Sequence, residues 1–233
     1  MTELQKIEAD LKSLKNDEKA IHHTRFFRTG KGEYGEGDKF LGITVPQQRK
    51  IAKKYIDLDL EDLQILIRNE YHEFRLTALI ILVNKYKKTK TEQEQKEIID
   101  FYLENTKYVN NWDLVDTSAE ILGAYYEDKN KEIFKDLAKS KSLWEQRISI
   151  ISTFYLIKKN NFDLTLEISQ LLLLHSHDLI HKAVGWMLRE VGKRDLNIEI
   201  AFLDENYKIM PRTMLRYAIE KLPDDLRTHY LMK

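Results

Sequence analysis

The sequence predicts an all-α fold that repeats as a helical solenoid, an α–α superhelix with a concave cationic groove. Only 8 glycines and 3 prolines occur in 233 residues, which is too few for the turns that a β-sandwich or barrel needs about every 8–12 residues. Apolar residues instead recur at the i, i+3, i+4, i+7 spacing of a helix with one buried face. Basic residues also precede apolar helical runs at a regular interval, which indicates an internal repeat.

Apolar stripes mark the helices in chain order. They comprise Leu63, Leu66 and Ile67; Leu76, Leu79, Ile80 and Val83; Leu114, Val115, Ala119 and Leu122; and Leu164, Ile168, Leu171 and Leu172. Residues 70–86 and 143–159 are stretches of ordinary helix length, and Ser142 with Glu145 has the spacing of a capping box. Short polar joints separate the stripes, so we expect about fourteen helices in antiparallel succession.

Four basic residues carry the repeat: Arg75, Arg147, Lys182 and Arg216 each stand just before an apolar helical run. The gaps between them are 72, 35 and 34 residues, and the first gap is close to two repeat lengths. A period near 35 residues with two helices per repeat is typical of a HEAT-like solenoid.

Equivalent positions in successive repeats of a solenoid align along one surface. The four basic residues would then form a track, with Arg189 near the same face because it follows Lys182 by one heptad. A duplex phosphate backbone is the natural long polyanion for such a track. For any one of these residues a solvated position at a helix start is the simpler interpretation, and only the regular spacing of the set favours a groove. We call Arg75, Arg147, Lys182, Arg189 and Arg216 the basic track.

The composition narrows the possible functions. Cys is absent, which excludes a disulfide framework, a thiolate metal site and a cysteine nucleophile. No uncharged stretch approaches the ~20 residues that cross a bilayer, and the N-terminus has no apolar signal segment, so we expect a cytoplasmic protein that does not bind membranes. Basic and acidic residues balance at 38 each, which counts mildly against nucleic-acid binding but leaves room for a local basic face.

The chain is expected to be a single HEAT-like repeat domain over residues 1–233. N-terminal helices and a Gly-rich loop would occupy about residues 1–40, and the repeats residues 41–233. The loop matches G-x-G-x-x-G at Gly30, Gly32 and Gly35, but no strand precedes it and acidic residues surround it, so a mobile surface loop over 30–38 is favoured over a nucleotide site.

Three histidines, at positions 175, 177 and 181, suggest a metal site at first sight. His177 and His181 are four residues apart, but the glutamate of the H-E-x-x-H motif is missing and no third ligand follows. We therefore predict no metal and no other cofactor.

The segment around Trp112 is the best candidate for chemistry. Trp112 and Asp116 are four residues apart and share one helix face, and an aromatic face beside a carboxylate suits a flat cation. Trp186 and Arg147 stand near the repeat positions further along the chain. The alternative is that each tryptophan fills the core and that an aspartate caps a helix.

These motifs together resemble the AlkD-type DNA alkylation repair glycosylases, a HEAT-like helical family. The resemblance extends from about Phe40 to Leu222. It rests on Phe40-Leu-Gly-Ile-Thr-Val-Pro-Gln-Gln-Arg49, Trp112-Asp-Leu-Val-Asp116, Trp144-Glu-Gln-Arg147 and Lys182-Ala-Val-Gly-Trp-Met-Leu-Arg-Glu190.

The resemblance implies excision of N3- and N7-alkylated purines from duplex DNA. A DNA groove on a solenoid works as a monomer, so we expect a monomer with no obligate protein partner. The resemblance also implies that Asp116 is the catalytic carboxylate, that Trp112 and Trp186 flank the lesion, and that Arg147 holds the backbone. Lys182, Arg189, Arg75 and Arg216 of the basic track would contact DNA phosphates. The loop over residues 30–38 departs from the family pattern and puts lesion contacts near the N-terminal helices in doubt.

Two alternatives remain open at this stage. The chain could be a non-catalytic HEAT-like binding protein, either a protein scaffold or a sensor of DNA structure, with its tryptophans as interface anchors. A lyase that uses Lys182 is also open.

Overall fold

The structure is a computed structural model that describes residues 1–232, and it confirms the all-α fold. Lys39 and Tyr71 form an isolated parallel β-bridge, and residues 1–232 contain no strand. The helices are α1 (Glu3–Ser13), α2 (Asp17–Phe26), α3 (Val45–Lys54), α4 (Leu60–Ile67), α5 (His72–Lys88), α6 (Glu92–Glu104), α7 (Trp112–Ser118), α8 (Glu120–Tyr125), α9 (Glu132–Lys139), α10 (Leu143–Ser152), α11 (Phe154–Lys158), α12 (Asp163–Leu171), α13 (Asp178–Gly192), α14 (Leu196–Asn206), α15 (Arg212–Ala218) and α16 (Asp224–Leu231). Short 3₁₀ helices cover Thr106–Tyr108 and Ile219–Lys221.

Two breaks raise the number of α-helices within residues 1–232 from the expected fourteen to sixteen. One falls at Ala119, between α7 and α8, and the other at Thr153, inside the stretch 143–159 that the sequence predicts as one helix. Immediately before these breaks, Ser118 and Ser152 each donate a hydrogen bond to the carbonyl four residues earlier, across 2.6 Å. Such side-chain bonds to the backbone compete with the helix and bend it.

The chain divides into two compact units, and the first spans Met1–Ser118. Its centre is α5, against which α3, α4 and α7 pack. Every residue from His72 to Val83 is buried, as expected for a helix that is surrounded on all sides. The first turns of α5 and α7 are thereby held in contact inside this unit.

The second unit begins at Ala119 and contains the predicted repeat. Helices α10, α13 and α15 pack in succession, and they begin at residues 143, 178 and 212, which are 35 and 34 residues apart. Gly185 allows α13 to approach α15 closely, because a Cβ there would lie 2.4 Å from the carbonyl oxygen of Met214. The repeat inferred from the basic residues is therefore a real packing unit.

No helix within residues 1–232 is long and apolar enough to span a membrane. The prediction that residues 1–233 form one domain stays a prediction.

Candidate active site

Asp116 lies in a small cavity of the first unit that α3, α5 and α7 enclose. Its volume is about 260 Å³. The lining residues are Arg49, Ile80, Val83, Asn84, Lys87, Trp112, Asp113, Asp116 and Thr117. The cavity therefore brings an indole ring, two carboxylates and two cations together, a set that can bind a flat cationic group and a neighbouring anion.

Helix α7 presents Trp112 and Asp116 because its opposite face is buried. Leu114 and Val115 are fully inaccessible to solvent. At the end of the helix the Ser118 hydroxyl lies 3.1 Å from the phenol oxygen of Tyr102. Burial raises the pKa of Tyr102, and the negative charge of Asp116 adds to the effect. This phenol is accordingly a neutral neighbour of the Asp116 carboxylate.

An aromatic cavity of about 410 Å³ adjoins the same residues, because Trp112 and Asp113 line both cavities. The ring of Phe27 stacks on Trp112 with centroids 5.5 Å apart, and the half-exposed Phe26 meets Trp112 edge to face at 5.9 Å. Offset and edge-to-face pairs of this kind are the favourable aromatic geometries. The ring of Trp112 is thus fixed on one side by helix α2 and the residue that follows it.

The Gly-rich loop ends in a buried carboxylate. Asp38 has a side chain that is only 4 % exposed, whereas the sequence predicts a surface loop through this residue. Asp38 accepts from Arg75 at 2.6 Å and from Asn111 at 3.2 Å, and His72 Nδ1 lies 3.2 Å from it. The loop is exposed at residues 30–33, as expected, but the expectation is wrong for its final residue.

His72 links this carboxylate to α7. Its Nε2 lies 2.8 Å from Asp113. Burial by itself would lower the pKa of His72, but the charge and hydrogen bond of Asp113, together with the hydrogen bond of Asp38, raise the pKa to about 9. Burial tends to raise the pKa of Asp38, yet its bond to His72 and the charge of Arg75 hold that pKa below its ordinary value.

Arg75 requires a correction, because the sequence places it on the basic track. Only 5 % of its side chain is exposed, and the guanidinium pairs with Asp38 and donates to the backbone carbonyls of Asn69 and Glu70. A guanidinium enclosed by these partners cannot reach a DNA phosphate. The period of the sequence identified the helix start correctly but could not show that the side chain turns inward.

The remaining predicted site residues belong to the second unit. Arg147 is buried and donates to the carbonyl of Leu179. Trp186 is half-buried, donates from Nε1 to Glu190 at 3.1 Å, and lies 5.8 Å from the ring of Phe154. The predicted lesion contacts of Arg147 and Trp186 stay predictions.

The other basic-track residues of this unit lie nearer to solvent. Lys182 pairs with Asp178 at 2.7 Å, Arg189 pairs with Glu220, and Arg216 is exposed. An ion pair at the surface contributes little free energy, so Lys182, whose side chain is 38 % exposed, can exchange its partner for a phosphate.

The three histidines at 175, 177 and 181 are occupied by local hydrogen bonds. His177 accepts from the backbone of Leu179 as a helix cap, His175 lies 2.9 Å from the Gln146 amide, and His181 contacts the carbonyl of His175. Within residues 1–232, no group of three or more acidic, histidine or cysteine side chains could hold a metal ion.

Comparison with known proteins decides the family. A family model described as DNA alkylation repair enzyme matches residues 7–222. The chain belongs to this family of DNA alkylation repair enzymes. No curated protein matches the chain.

Two solved structures share the family's fold. A predicted DNA alkylation repair enzyme from Enterococcus faecalis is 18 % identical, with a TM-score of 0.71 over 90 % of this chain and 97 % of its own. AlkD2 from Streptococcus mutans is 16 % identical, with a TM-score of 0.57 over 89 % of this chain and 99 % of its own. At such low identity the likeness is one of fold.

For this repair-family member, sequence reasoning missed part of the Asp116 cavity. Arg49 ends the first motif of the resemblance, yet no role was assigned to it. Asn84 and Lys87 follow Ile80 on α5 at helical spacing, which places all three on one face. That spacing is the signal that could have found them, since a polar pair that continues an apolar stripe marks the edge where a helix meets solvent.

Proposed function

We propose that this chain is a monofunctional alkylpurine-DNA glycosylase, which hydrolyses the N-glycosidic bond of N3- and N7-alkylated purines in duplex DNA. Membership of the DNA alkylation repair enzyme family supports the enzyme class. The observation that carries the proposal is the cavity that Trp112 and Asp116 share.

The chemistry of the substrate matches this pair. Alkylation at N3 or N7 gives the purine a positive charge, and cation–π attraction to an indole is worth about 0.5–2 kcal/mol. The cationic base is also a good leaving group. The bond from C1′ to the base nitrogen breaks, and its electron pair leaves with the base, which becomes neutral.

Asp116 would act on the sugar. Loss of the base leaves oxocarbenium character at C1′, and a nearby carboxylate stabilises that charge. Asp116 would also orient a water molecule whose oxygen bonds to C1′ and whose proton passes to the carboxylate or to solvent. One carboxylate suffices because the leaving group needs no protonation, unlike the two that O-glycosidases use.

Arg49 and Lys87 would hold the phosphates that flank the lesion. Both side chains are exposed at the cavity that contains Asp116, and exposed cations contribute to duplex binding mainly by neutralising phosphates. Lys182, Arg189 and Arg216 are the basic-track residues that we retain as further phosphate contacts, while Trp186 and Arg147 are retained as lesion contacts.

The deciding experiment follows the release of free base from a duplex with a single 7-methylguanine. Wild-type protein is expected to release it, and Asp116→Asn to bind the same duplex but lose most excision. Asp225→Asn is the matched control, because Asp225 is an exposed aspartate on α16. Undiminished single-turnover excision by Asp116→Asn would refute the role of the carboxylate.

A non-catalytic binding protein is the second candidate, and one observation favours it. The side chain of Arg75 is buried and pairs with Asp38, so the cationic surface that could bind a polyanion is smaller than the sequence predicts. Binding without base release by wild-type protein would support this candidate. A steep fall of affinity with salt would then identify DNA as the ligand rather than an apolar peptide.

A further inference from the structure

The first turn of α7 is connected to the Gly-rich loop by two short chains of hydrogen bonds that start at one carboxylate. In the first chain, Asp38 contacts His72 at 3.2 Å, and His72 contacts Asp113 at 2.8 Å. In the second, Asp38 accepts from the Asn111 amide at 3.2 Å, and Asn111 accepts from the backbone N–H of Trp112 at 2.9 Å. Asp38 therefore acts on both residues that begin α7.

The first chain is ionic. Both ring nitrogens of His72 face a carboxylate, so both carry a proton and donate, and the ring is an imidazolium. Arg75 pairs with the other carboxylate oxygen of Asp38 and is the second cation that contacts it. The buried cluster therefore contains two positive and two negative charges, on His72, Arg75, Asp38 and Asp113. A buried cluster of this kind fixes one geometry, because displacement of any member leaves an unpaired charge.

The ring of His72 also takes part in the aromatic packing beside Trp112. Phe27 and Phe40 lie 4.9 and 4.8 Å from it, and Phe27 in turn stacks on Trp112. The imidazolium therefore supports the indole in two ways: its ring packs on Phe27, which stacks on Trp112, and its Nε2 hydrogen-bonds to Asp113 in the first turn of α7.

The position of Asp38 beside His72 depends on a backbone conformation in the loop that favours glycine. Gly37, the residue before it, has φ of +86°, a conformation that residues with a side chain rarely adopt. The neighbouring Lys39 carbonyl accepts from the backbone N–H of His72 at 2.8 Å. The loop is thus built to place one carboxylate.

We propose that Asp38, acting through His72 and Asn111, is the positioning residue that sets Trp112 and Asp116 in the geometry for excision. This inference rests on the proposed function, since it assigns the Gly-rich loop to the same reaction. Asp38 does not touch the substrate; it acts by holding the helix that does.

Asp38→Asn tests the role. The amide removes the charge that His72 and Arg75 share and turns an N–H₂ group toward donors. We expect single-turnover excision to fall about 100-fold, as for small misplacements of reacting groups, while duplex affinity changes less than about threefold. Lys39→Gln is the matched control, because Lys39 is the next residue, is exposed and pairs only with Glu70 at the surface. It should excise at the wild-type rate.

A structural measurement separates this inference from the proposed function. With ¹⁵N-labelled histidine and tryptophan, His72 should show two protonated ring nitrogens at pH 7, and the Trp112 indole resonance should shift in Asp38→Asn but not in Lys39→Gln. If wild-type protein releases no base, the proposed function fails, and an Asp38-dependent Trp112 resonance still shows that the helix is held by Asp38.

Two results would overturn the inference. One is a folded Asp38→Asn protein that excises the base at the wild-type rate. The other is a Trp112 indole resonance that does not shift in Asp38→Asn. If Asp38→Asn does not fold, Asn111→Ala replaces it, because this variant cuts the second chain and leaves the four charges intact. Its excision should fall about tenfold at unchanged affinity, and an unchanged rate would again contradict the role.

Discussion

The guanidinium of Arg75 donates to the carboxylate of Asp38 across 2.6 Å, and both side chains are about 5 % exposed or less. This ion pair joins the first turns of α5 to the end of the Gly-rich loop. It also removes Arg75 from the surface where the sequence repeat places it. The pair shows that a cation at a repeat position can serve the interior of the fold.

Replacement of Arg75 by alanine should destabilise the first unit. The substitution leaves Asp38 buried with one cation instead of two, and breaking a buried ion pair typically costs about 3–5 kcal/mol. We expect the midpoint of urea unfolding to fall accordingly. Arg216→Ala, at an exposed repeat position, should stay within about 0.5 kcal/mol of wild type. Equal stability of the two variants would show that the Arg75 pair is energetically irrelevant.

Glu199 on α14 makes the second unit sensitive to pH. Burial raises the pKa of this carboxyl to about 8, although Arg189 lowers it slightly. Because the folded-state pKa is above the ordinary value of 4.5, the stability that the protonated form contributes is present below pH 4.5 and lost as the pH rises through 8.

Glu199→Gln should therefore stabilise the protein in alkaline solution only. At pH 8.5 the gain is expected to be on the order of 4 kcal/mol, since the amide never ionises, and at pH 4.5 the variant should unfold at nearly the wild-type urea concentration. Glu205→Gln, an exposed change on the same helix, should show no such difference between the two pH values. A pH-independent effect of Glu199→Gln would contradict the assigned protonation.

His72 should make the first unit lose stability in alkaline solution as well. Its folded-state pKa of about 9 is above the ordinary 6.5, so its contribution is complete below pH 6.5 and disappears as the pH rises through 9. The loss is expected to be on the order of 3 kcal/mol. Urea unfolding between pH 6 and 10 in the Glu199→Gln background isolates it, and His72→Gln should flatten the curve. If the stability of the His72→Gln variant still fell with pH over this range, the pH dependence would belong to other groups.

The pH dependence of stability that Asp38 contributes has the opposite sign to that of His72. Its pKa is below the ordinary 3.8, so its contribution is present above that pH and lost as the pH falls further. Together the two groups predict that the cluster is most stable between about pH 4 and 6.5.

The sequence predicted the features of the fold and of the site that depend on the spacing of residues along a helix or between repeats. The period of 34–35 residues between Arg147, Lys182 and Arg216 corresponds to successive packed helices, and the four-residue step from Trp112 to Asp116 places both in one cavity. Both follow from helix geometry alone.

The sequence could not predict contacts between residues far apart in the chain. Asp38 and Asn111 are separated by 73 positions and meet only because α5 brings the loop and the start of α7 together. Neither residue has a distinctive local pattern. An acidic residue after glycines is typical of a surface loop, and burial changes that interpretation only when the cationic partners are known.

DNA binding should depend on Arg49 and Lys87 through charge alone. Each neutralised phosphate contributes about one unit to the slope of log affinity against log salt, so Arg49→Gln and Lys87→Gln should each weaken binding and reduce the slope by about one. The double variant should reduce it by about two if each residue neutralises its own phosphate, as the proposed contacts require. Lys12→Gln on α1, whose side chain is 62 % exposed, is the control and should leave the slope unchanged. Fluorescence anisotropy with an undamaged duplex from 50 to 300 mM salt measures all four proteins. Unaltered slopes in both cavity variants would place the DNA elsewhere on the protein, because neither cation would then release counterions on binding.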